Sequence, residues 1–303
     1  MKTPLKLTIY LIALLVGFGA AFGVGRLAVP SELADNWAAT ATHEPTVPAP
    51  VRGLSLSADG YELTALTAPA AVGDNGELTF QIRTADGEPV RRFATEHGRE
   101  LHAIVVRSDG TQYRHVHPIL DEASGTWAMP WAWVEAGTYR VLADFTSEGG
   151  SQAVTLSRTI QVGGAFTPVA PEPNQTADVA GFTLTLDGDL TPGATSALTI
   201  DVQRDGEPVT TLEPYLGAFG HLVVLRDGDL AYVHVHADGD PSQPGGTAGP
   251  NLAFGAEAPT TGRYLLYLDF MVDGQVHTAE FVLDAGPAEA ATAHGEEPHD
   301  DEH

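Results

Sequence analysis

An internal duplication constrains this 303-residue chain more than any other sequence feature. The segment DGEPV occurs at Asp86–Val90 and again at Asp205–Val209. In each copy a histidine lies 13 residues after the motif's proline, a second lies 13 residues later, and a third follows at the next position but one. The six residues are His102, His115, His117, His221, His234 and His236. Self-similarity at a fixed spacing indicates two copies of one structural unit.

The local pattern within each copy is typical of β-structure. Short runs rich in β-branched and aromatic residues alternate with turn sequences such as DGEP and SDGT. No convincing amphipathic helix follows the amino-terminal segment. About seven strands in roughly 100 residues favour a β-sandwich. We therefore predict an all-β protein with two tandem immunoglobulin-like or cupredoxin-like sandwiches after an amino-terminal transmembrane helix.

Composition shifts divide the chain into six segments. Proline- and alanine-rich stretches separate the two copies from the amino terminus and from each other, and the last residues are rich in Ala, Glu, Asp and His. The predicted segments are a signal anchor (1–30), a spacer (31–53), the first sandwich (54–164), a linker (165–180), the second sandwich (181–286) and a disordered tail (287–303).

The amino terminus predicts export. Lys2 and Lys6 precede an apolar run from Leu5 to Val29 that approaches the roughly 20 residues needed to span a bilayer. Positive residues before such a run place the amino terminus in the cytoplasm. The expected location is therefore the cell membrane, with a single pass and an extracytoplasmic carboxyl-terminal region. Alternatively, cleavage near Ala21 would release a secreted protein.

Charge and cysteine content narrow the possible partners. The formal net charge is −25, with 40 acidic and 15 basic residues. Such a field repels phosphate backbones, so we expect no nucleic-acid partner, and it favours cations. The chain has no cysteine, which excludes disulfides, a cysteine nucleophile and thiolate metal sites. A bound metal must therefore use nitrogen, oxygen or thioether ligands.

Strand geometry brings the histidines of one copy together. In HVH at His115–His117 both rings project from one face, because side chains on a strand alternate with period 2. The preceding strand begins near His102, and SDGT between the two strands is a hairpin signal. A two-residue loop would place His102 opposite His117, and a shifted loop would place it beside His115. Either register leaves all three rings on one face.

The same count in the second copy gives a different pairing. With Asp227-Gly228 as the loop, Arg226 would pair with Asp229 and His221 would lie opposite His234. Cross-strand neighbours are about 5 Å apart at Cβ, so three imidazoles at this spacing can reach one ion. Cu(II) is the expected metal, with Zn(II) as the alternative, because both accept imidazole and copper binds such sites most tightly.

Further candidates lie outside the histidine pattern. Asp144 and Asp269 recur in ADF and LDF, and each could be a ligand, a partner that fixes a histidine tautomer, or a purely structural acceptor. The tail from His294 to His303 also holds histidines beside acidic residues. It could chelate metal weakly, or it could simply be a solvated end. Its three histidines are His294, His299 and His303.

The stretches YLGAFGHLVVLRDGDLAYVHVHADG at Tyr215–Gly239 and RYLLYLDFMVDGQVHTAEF at Arg263–Phe281 carry a family resemblance. They resemble exported bacterial proteins, often actinobacterial, that are described as secreted or heavy-metal-associated and are similar to YtkA-like β-sandwich domains. The first copy matches at Leu101–Pro118. The resemblance implies a small β-sandwich with a role in metal, especially copper, handling. The proline that usually follows the second HVH is Ala237 here.

These observations favour a membrane-anchored extracytoplasmic metal-binding protein with one three-histidine site per copy. Storage, delivery and resistance all fit. We expect no enzymatic activity and metal ions as the partners, and the sequence names no protein partner. Two alternatives stay open. One is a surface adhesion or assembly module with structural histidines. The other is a cupin-type metal oxygenase, because Gly110, the HVH segment and Glu122 partly match a cupin metal motif.

Overall fold

The computed structural model describes residues 51–150, 152–233, 235–238 and 248–286. The predicted signal anchor, most of the spacer and the tail lie outside these residues. Among the described residues there is no helix long and apolar enough to cross a membrane. All regular structure in this part of the chain is β-strand, and every pairing between strands is antiparallel. The prediction of an all-β protein is thus confirmed for the described residues.

The first copy contains nine strands in two sheets. One sheet has the order β1-β2-β3-β7-β6 and the other has the order β5-β4-β8-β9. The strands are β1 (Ser57–Ala58), β2 (Tyr61–Thr67), β3 (Asn75–Thr84), β4 (His102–Arg107), β5 (Arg114–Val116), β6 (Ile119–Asp121), β7 (Thr126–Ala132), β8 (Gly137–Phe145) and β9 (Val154–Val162).

The second copy repeats this arrangement. Its sheets have the orders β10-β11-β12-β17-β16, with β13 paired to β12, and β15-β14-β18-β19. The strands are β10 (Thr176–Val179), β11 (Phe182–Asp187), β12 (Thr195–Arg204), β13 (Glu207–Pro208), β14 (Gly220–Arg226), β15 (Tyr232–Val233), β16 (Val235–Asp238), β17 (Asn251–Glu257), β18 (Gly262–Val272) and β19 (Gln275–Ala285).

Each copy encloses its own core between its two sheets. On β3 the side chains of Leu78, Phe80 and Ile82 alternate inward and are fully buried, as the period-2 pattern requires. Trp127 and Trp131 on β7 are 2% and 4% exposed and complete the same core. These tryptophans therefore belong to the buried core of the first copy.

A third core joins the two copies. It is made by the outer faces of the sheets that contain β4 and β8 in the first copy and β14 and β18 in the second. These strands are consequently apolar on both faces, which explains their nearly continuous hydrophobic sequences. The buried residues of this interface core are Ile104, Val106, Leu142, Val223, Leu225, Leu230, Leu265 and Tyr267.

A pair of stacked tyrosines marks the interface core. The rings of Tyr113 and Tyr267 lie 3.9 Å apart between centroids, with 2° between their planes. The hydroxyl of Tyr267 also donates a hydrogen bond to the carbonyl oxygen of Gly110, in the turn between β4 and β5. The β4–β5 hairpin of the first copy is therefore held directly against the second copy.

The β4–β5 hairpin follows one of the two expected registers. Ile104 pairs with His115 and Ala103 with Val116, so His102 lies opposite His117. The chain then crosses to the other sheet, where β6 pairs with β7. His117 therefore lies between β5 and β6, where the chain passes from one sheet to the other.

The expected register of the second hairpin is wrong by two residues. Leu225 pairs with Tyr232 and Val224 with Val233, which is the counterpart of the pairing in the first copy. The loop is longer than two residues, because the Asp229 carboxylate accepts hydrogen bonds from the Arg226 guanidinium and from the backbone N–H of Ala231. His221 is therefore not paired with position 234.

Candidate metal centre

Three histidines of the first copy converge at the end of the β4–β5 hairpin. The ring centroids of His102, His115 and His117 lie 4.8–5.2 Å apart. His102 Nδ1 is 3.0 Å from His115 Nε2 and 3.1 Å from His117 Nε2. Among the described residues, this is the group of histidine and acidic side chains with ligand atoms close enough to hold one ion.

Hydrogen bonds on the outer side of the group fix two tautomers. His102 Nε2 lies 3.2 Å from the carbonyl oxygen of Glu96, and His115 Nδ1 lies 2.9 Å from Asp269 Oδ2. A carbonyl and a carboxylate only accept, so each of these ring nitrogens carries the proton. The inward nitrogens, His102 Nδ1 and His115 Nε2, are therefore the atoms that can bind an ion when the rings are neutral.

Burial keeps two of the imidazoles, those of His102 and His117, neutral. Loss of hydration, followed by the nearby His115 ring, lowers the pKa of His102 to about 4. The same causes lower the pKa of His117 to about 3. Desolvation disfavours the charged imidazolium, so both rings are in the ligand form at neutral pH.

The second copy contributes Asp269 to this group. Asp269 lies on β18, directly opposite His221 on β14. Its Oδ1 accepts a hydrogen bond of 2.6 Å from Thr278 Oγ1 on β19, while Oδ2 faces His115. The side chains of Asp269 and His115 are each only 5% exposed. A carboxylate buried to this extent requires partners, and both of its oxygens have one.

His221 of the second copy lies at the edge of the group. Its ring centroid is 6.1 Å from that of His115 and 6.4 Å from that of His102. Its Nε2 donates to the carbonyl oxygen of Tyr215 at 2.8 Å, which leaves Nδ1 as the acceptor nitrogen. Desolvation lowers the pKa of His221 to about 4. The structure therefore places this residue beside the histidines of the first copy, although the sequence assigned it to a separate site.

His97 is a neighbour that sequence reasoning missed. It is exposed, and its ring centroid lies 5.6 Å from that of His221 and 6.2 Å from that of His102. It occupies a tight turn between Glu96 and Arg99 with a φ of +49°. The second copy has Leu216 at the equivalent turn position, with a φ of +52°. The comparison of the two copies therefore gave no signal for His97.

Asp144 is the counterpart of Asp269 and has a similar partner. It lies opposite His102, and its Oδ1 accepts a 2.6 Å hydrogen bond from Thr155 Oγ1. Burial raises the pKa of its carboxyl group. The recurring Asp–Thr pair, Asp144 with Thr155 and Asp269 with Thr278, was also missed. The only sequence feature that could have indicated this pair is a threonine in the last strand of each copy.

The described part of the structure does not place the remaining predicted ligands in this group. His234, His294, His299 and His303 lie outside the described part of the chain. The backbone of His236 pairs with Gly255 on β17, in the sheet opposite to the one that carries His221. The hairpin pairing that joins His102 and His117 in the first copy therefore does not extend to His236 in the second.

Two of the separations among the inward nitrogens are close to those between two nitrogens bound to one ion. Two nitrogens bound at 2.0–2.1 Å are about 3.3 Å apart in a tetrahedral site and about 2.9 Å apart at a right angle. The observed separations of 3.0 and 3.1 Å lie between these values. A cavity of about 130 Å³ opens beside the group, with His97, His102, His115, Asp144 and His221 among its lining residues. It leaves room for a further ligand such as water.

Comparisons with known proteins locate the chain among families. No curated protein matches it. Solved structures with some likeness include alpha-2-macroglobulin of Salmonella reacted with methylamine (15% identity, TM-score 0.25) and native E. coli alpha-2-macroglobulin (14%, 0.24). Each match covers 80% of this chain but only 15% of the macroglobulin. Domains 4 and 5 of the S-layer protein SbsC match at 13% identity and a TM-score of 0.21, over 78% of this chain and 99% of that one.

TM-scores this low do not establish a shared fold, so these structures carry no inference about function. A family match is more informative, because it covers most of the chain and occurs twice. The matched residues are 56–163 and 176–286, which confirms the internal repeat. The chain belongs to the family of the domain of unknown function DUF8832, of which it contains two copies.

Proposed function

We propose that this protein is a membrane-anchored, extracytoplasmic metal-binding protein. In this proposal His102, His115 and His117 hold one Cu(II) ion, or alternatively Zn(II), for storage, delivery or resistance. The resemblance to YtkA-like domains of heavy-metal-associated proteins agrees with this assignment. So does the amino-terminal apolar run, which would tether two immunoglobulin-like or cupredoxin-like sandwiches outside the cell.

One observation carries the proposal. His102 Nδ1 lies 3.0 Å from His115 Nε2 and 3.1 Å from His117 Nε2, while the outer nitrogens of His102 and His115 already donate to acceptors. Burial lowers the pKa of His102 to about 4 and that of His117 to about 3, so these two rings are neutral at neutral pH. With all three rings neutral and their protons on the outer nitrogens, the three inner lone pairs would converge on one metal ion.

The ligand chemistry supports copper before zinc. Neutral imidazole nitrogens bind Cu(II) and Zn(II), and copper binds more tightly in the usual order of divalent metals. The net charge of −25 raises the local concentration of either cation. The histidines of the second copy, His221, His234 and His236, are proposed by repetition as a second site. The tail histidines are proposed as a weak accessory chelator.

Metal counting on the full-length chain tests the proposal. The chain is purified in detergent without a histidine tag, with the tail histidines replaced by asparagine, and titrated with Cu(II) or Zn(II) against a competing chelator. Replacing both His115 and His117 by alanine should remove one bound ion per chain. The matched control is His277→Gln, because His277 packs on Phe182 and Phe270 and not in the histidine group.

The control should retain all bound metal. The proposal fails if the parent chain binds metal no more tightly than the variant that lacks His115 and His117. It also fails if His277→Gln loses as much metal as that double variant. Metal analysis of the purified protein, made alongside, distinguishes copper from zinc.

A further inference from the structure

We infer that Asp269 of the second copy is a positioning residue for the metal centre of the first copy. Metal affinity at His102, His115 and His117 therefore depends on the docking of the two copies. This inference rests on the proposed metal-binding function and deepens it. It assigns a role to the interface between the copies, which each copy taken alone would not reveal.

The first step is the contact itself. Asp269 Oδ2 accepts the proton of His115 Nδ1 at 2.9 Å, across the boundary between the copies. Asp269 is 3% exposed and lies on a strand whose other central residues are apolar. Thr278 Oγ1 holds the second carboxylate oxygen at 2.6 Å. The carboxylate is thus fixed in position by its own copy and aimed at a ring of the other copy.

The second step is the effect on the ligand. A carboxylate that accepts from Nδ1 keeps the proton there and leaves Nε2 free to bind metal. It also makes Nε2 more basic and restricts rotation of the ring. Loss of such an outer partner typically weakens metal binding about 10- to 100-fold. Asp269 should therefore strengthen the bond between the ion and His115 without touching the ion.

The third step links this effect to docking. His115 and Asp269 are 154 positions apart in the sequence and meet only because the interface core is formed. In that core Ile104 and Leu142 of the first copy pack against Leu265 and Tyr267 of the second. If docking strengthens metal binding, metal binding must favour the docked arrangement by the same factor. The bound ion therefore stabilises the contact between the two copies.

The control variant removes an acidic side chain of the second copy that lies outside the histidine group. Asp284 lies on β19 and pairs with Arg263 at 2.7 Å. It is not among the residues that line the cavity beside the histidines. Asp284→Asn removes a carboxylate from the sheet that carries Asp269 while leaving the outer partner of His115 in place.

The experiment uses the full-length chain in detergent, with the tail histidines and both His234 and His236 replaced by asparagine. In this reference chain the centre of the first copy is isolated. Cu(II) affinity is measured by competition with a chelator, and the copper environment is measured by electron paramagnetic resonance. Asp269→Asn should weaken binding about 10- to 100-fold and change the copper hyperfine splitting. Asp284→Asn should leave affinity within about threefold and the spectrum unchanged.

Each outcome decides a separate question. A reference chain that binds no copper overturns the proposed function itself. A reference chain that binds copper, with an Asp269→Asn variant of equal affinity and identical spectrum, overturns only the positioning role. If Asp269→Asn does not fold, Thr278→Val decides the matter. Its control is Thr183→Val, because Thr183 Oγ1 donates to Asp178 Oδ1 in the other sheet of the second copy. Thr278→Val should weaken binding severalfold because the carboxylate loses its anchor, and equal affinities of these two variants would overturn the inference.

Discussion

The stacked tyrosines offer the sharpest test of the interface beside the proposed metal centre. Tyr113 and Tyr267 lie face to face at 3.9 Å, and both rings would be kept by substitution with phenylalanine. Their hydroxyl groups differ, however. That of Tyr267 donates to the buried carbonyl of Gly110, whereas that of Tyr113 is buried without a hydrogen-bond partner among the described residues.

The two substitutions should therefore have opposite effects. Tyr267→Phe leaves the Gly110 carbonyl buried without its donor, which destabilises the fold by about 1–3 kcal/mol. Tyr113→Phe removes an unpaired buried hydroxyl and should leave the free energy of unfolding unchanged or raise it by up to about 1 kcal/mol. A difference of about 2 kcal/mol corresponds to a separation of about 4–8 °C in the melting temperature for a folded unit of this size.

Guanidinium unfolding followed by tryptophan fluorescence measures the difference. Trp127, Trp131 and Trp133 are buried in the first copy and report on it, while circular dichroism reports on both copies. Both variants keep the ring stacking, so each serves as the control for the other. A Tyr113→Phe variant that loses as much stability as Tyr267→Phe would show that the Gly110 hydrogen bond is not what distinguishes the two residues.

Three further predictions concern the turn, the cavity mouth and the ion. Gly110→Ala should destabilise by about 1–3 kcal/mol more than Gly228→Ala. Both glycines have a positive φ, but only at Gly110 would an added Cβ meet another side chain, that of Leu265 at 2.5 Å. Equal unfolding midpoints of the two variants would contradict the predicted difference in stability. His97→Leu introduces the residue type that the second copy has at the equivalent turn, so the variant should fold normally. The exposed His97 ring lies near the buried histidines and can receive an incoming ion. Stopped-flow mixing should therefore show slower copper uptake by His97→Leu, with an unchanged dissociation constant. Free Cu(II) at about 100 times its dissociation constant should stabilise the wild type by about 2.7 kcal/mol in calorimetric unfolding, and a chelator should abolish the shift.

Much of the fold could be predicted from local rules. Strand alternation with period 2 places His115 and His117 on one face, and a hairpin register that pairs His102 with either of them adds its ring to that face. The repeat of DGEPV and the histidine spacing indicated two copies, which the double family match confirms. The absence of cysteine likewise restricted the ligands of any bound metal to nitrogen, oxygen or thioether groups.

Loop conformation and strand exchange were beyond such rules. The register of the second hairpin was wrong because Asp229 closes a longer loop than its sequence suggested. The crossing to the opposite sheet places His236 in a pairing with Gly255, which the HVH pattern alone could not reveal. Both outcomes depend on side-chain hydrogen bonds and sheet closure, and these are set by the whole sandwich.

The sequence by itself thus determined the duplication, the β-rich folding of each copy and the shared face of the three histidines in the first. These follow from chain periodicity and composition, which act over a few residues. Only the tertiary structure decided that His115 has Asp269 of the other copy as its partner and that His221 and His97 lie at the same cavity. These contacts form because apolar surface on the outer faces of two sheets is buried between the copies. That burial brings together residues more than a hundred positions apart, and a local sequence pattern cannot predict it.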